Sequence, residues 1–182
     1  MNLLFGQAEL NDGLLEETGV EGQTAFGVAL SLDFDWPVAL AVDVLSTSDE
    51  NTIDISTNYT LQYTTDVSRL EADLGVRKYW REKLRPYIGG GLAWIQLDAK
   101  QTAFRDFGGG NEFTDVVVDD SSGDFGYWLN AGLLYTVGDH FNIGLDLRYS
   151  DADSALNPND VEDEIRFDSG ALQYTLALGY RW

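Results

Sequence analysis

Tyr127-Trp128-Leu129-Asn130-Ala131-Gly132-Leu133-Leu134-Tyr135-Thr136-Val137 runs into Gly138-Asp139-His140 and then into Phe141-Asn142-Ile143-Gly144-Leu145-Asp146-Leu147-Arg148-Tyr149-Ser150. In the first run Tyr127, Leu129, Ala131, Leu133, Tyr135 and Val137 alternate with Trp128, Asn130, Gly132, Leu134 and Thr136. In the second, Phe141, Ile143, Leu145, Leu147 and Tyr149 alternate with Asn142, Gly144, Asp146, Arg148 and Ser150. Successive side chains of a strand point to opposite faces, so a period of two with one apolar set reads as a strand with one apolar face. A three-residue link makes the two runs a tight hairpin.

The same pattern recurs outward from this hairpin. Thr24, Phe26, Val28, Leu30, Leu32 and Phe34 alternate with Ala25, Gly27, Ala29, Ser31 and Asp33. After Asp35-Trp36-Pro37 it resumes with Val38, Leu40, Val42 and Val44 against Ala39, Ala41 and Asp43. Leu172, Tyr174, Leu176, Leu178, Tyr180 and Trp182 oppose Ala171, Gln173, Thr175, Ala177, Gly179 and Arg181. Three further strands are read at 70–77, where Glu71, Asp73 and Arg77 share a face, at 86–97, and at 3–11. In the last, Leu4, Ala8 and Leu10 lie opposite Phe5, Gln7 and Glu9. The total is eight, with no sustained helical period. Short links near 35–37, 80–85 and 138–140 alternate with long polar links at about 12–22, 48–66, 98–124 and 150–168, so eight antiparallel strands put every long link at one end. Residues 53–63 and 113–119 also have strand character. They either make ten strands or extend hairpins.

Three features turn the apolar face toward lipid. The polar face is built from Gly, Ala, Ser and Thr with sparse charges, which suits the narrow bore of an eight-stranded barrel. The apolar face ends in aromatics, Phe26, Phe34, Tyr135, Phe141, Tyr149, Tyr180 and Trp182, as at membrane interfaces. Segments of about 9 to 11 residues match a tilted crossing of the hydrocarbon core, and closure satisfies every backbone group there. The expected fold is therefore all-β: a closed antiparallel up-and-down transmembrane β-barrel in one domain, residues 1–182. No basic n-region or long h-region opens the chain, which reads as a mature form behind an added Met.

Composition bears on function mainly by exclusion. The 182 residues hold 31 acidic and 11 basic side chains, a net charge of −20, which argues against nucleic acid as a partner. Hydrophobic residues make up 44% of the chain, too many for a disordered acidic one. With no cysteine, disulfides, thiolate zinc sites and thiol nucleophiles are excluded. The four long links hold 22 acidic residues against Lys100, Arg105 and Arg166, while Lys78, Arg81, Lys83 and Arg85 surround a short link. The acidic end serves solubility or meets divalent cations that bridge phosphorylated glycolipids.

The C-terminal Leu172-Gln173-Tyr174-Thr175-Leu176-Ala177-Leu178-Gly179-Tyr180-Arg181-Trp182 resembles the terminal strand of Gram-negative outer-membrane barrels. The resemblance implies that Tyr180 and Trp182 serve as an assembly signal read by the outer-membrane assembly machinery. Arg85-Pro86-Tyr87-Ile88-Gly89-Gly90-Gly91-Leu92 and the stretch 141–150 are similar to segments of small opacity, OmpA-transmembrane and OmpW-like barrels. Some small barrels of this kind are enzymes that use a His with a Ser. The one histidine, His140, lies in a short turn with no serine within five residues, so no catalysis is expected. Asp151-Ala152-Asp153 and 160–164 fail the spacing of a helix-loop-helix calcium site, and no metal or cofactor is assigned. Gly108-Gly109-Gly110 lacks the Lys-Ser/Thr of a phosphate loop.

Inward charges Asp43, Glu71, Asp73, Arg77, Asp146, Arg148 and Arg181 are expected to pair and plug the bore, because an isolated buried charge is costly. Leu45, Ile95, Trp128 and Leu134 are candidates for an apolar pocket near the loop end. The reading is an integral, non-catalytic protein of the Gram-negative outer membrane, with periplasmic termini and extracellular acidic loops. Its role is structural or surface-interacting, toward lipids and lipopolysaccharide. An OmpW-like passive channel for small hydrophobic molecules is the alternative, and a soluble ligand-binding barrel a further one.

Overall fold

A computed structural model describes residues 1–10, 22–56, 60–80, 83–106, 112–156, 165–168 and 170–181. The strands are β1 (Asn2–Leu10), β2 (Gln23–Leu32), β3 (Ala39–Ser56), β4 (Thr60–Tyr79), β5 (Leu84–Asp106), β6 (Glu112–Val137), β7 (Phe141–Asp151), β8 (Asp153–Leu156), β9 (Ile165–Asp168) and β10 (Ala171–Tyr180). Eight close into an antiparallel barrel in the order β1-β2-β3-β4-β5-β6-β7-β10, with β10 returning to β1, and β8 with β9 forms a separate two-stranded ribbon. Leu3 pairs with both Leu178 and Val28, which closes the ring. Closure leaves no edge in the barrel wall.

Two residue sets separate along the strands of the barrel wall. Leu74, Ile88, Leu92, Leu129, Leu145 and Leu176 are exposed on the outside, Leu92 and Leu145 by 68% and 65%. Ala29, Ala41, Ala93 and Ala177 are buried inside with the polar set. In β1 the inward set is Leu4 and Ala8, while Leu3 and Phe5 face out. Phe26, Tyr135, Phe141 and Tyr180 are exposed on the outer wall, and Phe34 lies just past the end of β2. Trp182 lies outside the described residues.

The long links at 48–66 and 98–124 are mostly strand. β3 and β4 stay paired as far as Ser56 and Thr60, and β5 and β6 as far as Asp106 and Glu112, with a register shift between Gln101 and Thr102. The segments 53–63 and 113–119 thus extend hairpins and add no strand to the barrel. In the extensions the alternation of buried and exposed residues is lost, Leu61 to Asp66 all being half-buried, while backbone pairing continues. β2 ends earlier than its periodicity suggests, at Leu32, and β3 begins at Ala39. Asp35, at φ 60°, lies in the turn between them.

Candidate functional site

β3, β4 and β7 contribute most of the polar residues of the bore. Period two puts Asp43, Thr47, Arg69, Glu71, Asp73, Arg77, Asp146, Arg148 and Ser150 inward, all buried. Arg148 on β7 is the hub. Its guanidinium bonds to the carboxylates of Asp43 and Asp73, and lies 3.8 Å from those of Glu71 and Asp146. Arg77 donates to Asp43 at 2.6 Å and to Ser31 at 3.0 Å. Arg69 pairs with Glu71 at 2.6 Å and donates to Ser150 at 2.7 Å. Glu71 also accepts from Ser150 at 2.9 Å and from the Gln173 amide at 3.1 Å. Asp146 accepts from the Tyr87 hydroxyl and, at 2.8 Å, from Asn130.

Three guanidiniums therefore face four carboxylates across the barrel, and Arg148 lies 3.8 Å or less from all four. The indole of Trp128 lies beside two of the cations, its ring centroid 4.9 Å from Arg148 and 5.6 Å from Arg77, an arrangement that stabilises desolvated cations. Glycines make the room for it. A Cβ on Gly75 would meet Trp128 Cζ2 at 2.8 Å, and one on Gly89 would meet Cη2 at 3.2 Å.

Six of the seven expected interior charges, Asp43, Glu71, Asp73, Arg77, Asp146 and Arg148, belong to this network. The seventh does not. Arg181 has the inward parity of β10, but that strand ends at Tyr180, and Arg181 is exposed at the mouth of the short-turn end. The four apolar candidates are buried but do not form one pocket. Leu45 and Leu134 pack with Leu4, Ala29, Tyr87 and Ala177, whereas Ile95 and Trp128 pack with Ala41, Ala93 and Ala152. Leu134 moreover sits at the short-turn end, three residues before the end of β6, and not near the long loops. Trp128 and Leu134 lie six residues apart along β6, so they sit at different heights in the bore.

Arg69, Tyr87, Asn130 and Ser150 complete the network without having been singled out from the sequence. Arg69 carried a signal: it precedes Glu71 and Asp73 on the same parity. The partners Tyr87 and Asn130 depend on barrel shear, which no single strand encodes. Of the acidic stretches weighed for calcium, 160–164 lies outside the described residues.

A closed eight-stranded antiparallel barrel with leucines outside and ion-paired residues inside has the architecture of an outer-membrane barrel. The chain belongs to the outer membrane protein beta-barrel domain family, whose family model matches residues 1–181. Among solved structures it is similar to OprG, an outer membrane protein of Pseudomonas aeruginosa, with a TM-score of 0.55 and 13% identity over 100% of this chain and 95% of that one. It is also similar to Ail, the attachment invasion locus protein of Yersinia pestis, solved with the heparin analogue sucrose octasulfate, with a TM-score of 0.53 and 12% identity over 100% of this chain and 95% of that one. At these identities the likeness concerns the fold. No curated protein matches the chain.

Proposed function

We propose that the protein is an integral, non-catalytic barrel with a structural or surface-interaction role, its bore plugged by polar side chains. The observation that carries this reading is the cross-barrel network: Asp43, Arg69, Glu71, Asp73, Arg77, Asp146 and Arg148 are each no more than 4% exposed. An eight-stranded barrel has room for side chains and little else, and ion pairs that span it leave no wide aqueous path. Interaction falls to the long-loop end, where the acidic residues gather. That end is read as extracellular, with divalent cations bridging its carboxylates to lipopolysaccharide phosphates and with both termini in the periplasm. The terminal strand is read by the assembly machinery.

The experiment is solute entry into proteoliposomes of the purified protein, with a small sugar and a small apolar solute in separate assays. Entry no faster than into protein-free liposomes is expected for both. Entry of the apolar solute alone would replace this reading with a lateral conduit of the OmpW-like kind, and entry of both would mean an open pore.

A further inference from the structure

We propose that the short-turn mouth of the bore is an oxyanion-binding vestibule, with Arg85 and Arg181 as its charged donors. The mouth is an open cleft of about 400 Å³, lined among others by Asn2, Ser31, Asp33, Tyr79, Arg85 and Arg181. Arg85 has the inward parity of Tyr87 and lies over the Tyr79 ring, 4.4 Å from its centroid. Tyr79 in turn is hydrogen bonded to Ser31 at 2.7 Å, and Ser31 accepts from Arg77 at 3.0 Å. The floor of the cleft is thus fixed by the plug beneath it.

Asp33 and Asp35 line the cleft as well, but what distinguishes these two arginines is that neither is ion-paired. Arg69, Arg77 and Arg148 each hold a buried carboxylate. Among the described residues, neither Arg85 nor Arg181 has a carboxylate within ion-pair distance. Arg181 and Arg85 line the same cleft as like charges, with Asp33 an opposite charge beside them. The Asp33 carboxylate is itself engaged by the backbone N–H of Asp35 at 3.2 Å. Asn2, 8% exposed, lines the same cleft. Two adjacent guanidiniums, each a planar fork of donors, match the geometry of a carboxylate or phosphate, which would also relieve their mutual repulsion. Both side chains line the cleft, which opens at the mouth of the bore and admits a soluble oxyanion from the aqueous side. A phospholipid phosphate is the other source of the same chemistry.

The test is calorimetric titration of the purified full chain with inorganic phosphate, in maltoside detergent and in nanodiscs of phosphatidylcholine or phosphatidylglycerol. Saturable binding is expected, with affinity about tenfold weaker in Arg181→Gln and in Arg85→Gln, the scale of one charge-assisted hydrogen bond. Arg181→Gln, at an exposed position, keeps the test independent of folding. Equal affinity in both kinds of nanodisc supports a soluble occupant, and affinity lost only with phosphatidylglycerol supports the site with a headgroup in it. Absence of saturable binding, binding indifferent to both substitutions, or a structure with the chain's own terminal carboxylate between the two arginines would overturn the proposal.

Discussion

Arg148 touches Asp43 and Asp73 from the opposite wall of the barrel, so its loss would leave several carboxylates facing one another in a poorly hydrated space. Removing one partner of a buried ion pair costs about 3 to 5 kcal/mol, because the charge left behind cannot be resolvated. Arg148→Ala is therefore expected to destabilise the barrel by about that amount in urea unfolding from lipid vesicles. Loss below about 1 kcal/mol, the range of exposed pairs, would mean that the bore is wet enough to screen its charges. Much of this residue-level picture was legible, since parity alone sorts Asp43, Glu71, Asp73, Arg77, Asp146 and Arg148 inward. Which carboxylate each guanidinium meets was not, because it depends on the heights of strands far apart in sequence. Arg181 shows the limit of parity: inward alternation means burial only while the strand lasts.

At the scale of the element, the outward leucines and the long hairpins make separate predictions. Leu145, 65% exposed near the middle of β7 and flanked by Leu133 and Leu176, is expected near the bilayer midplane. Leu145→Arg should cost about 2 to 4 kcal/mol, the range for a cation at the bilayer midplane, read from the same unfolding equilibrium. A cost near zero would move β7 away from the midplane. The outer halves of β3 and β4 pair with each other, from Thr52 with Thr64 up to Ser56 with Thr60. Replacing residues 53–63 by a two-residue Asn-Gly turn should therefore leave the barrel folded, with an unfolding midpoint in urea like that of the parent chain. A midpoint well below it would show that the extension helps hold the barrel closed. Alternation revealed the crossing strands clearly, but the extensions only weakly. A hairpin in water needs no apolar face, so only β-branched and aromatic residues such as Ile53, Ile55, Tyr59 and Tyr63 marked it.

For the whole molecule, two structural facts, leucines outside and ion pairs inside, belong with a sequence whose acidic residues concentrate in the long links. Closure was legible because eight strands with lipid-facing apolar stripes have no stable open form in a membrane. The polar lining alone left open whether the bore is a plug or a path, since isolated charges and paired ones read alike in a sequence. The pairing across the barrel favours the plug. Single-channel recording from the purified protein in planar bilayers, wild type beside Arg148→Ala, tests this most directly. The account predicts a silent wild type, with brief openings appearing only when Arg148 is removed; stable wild-type currents that Arg148→Ala leaves unchanged would contradict it.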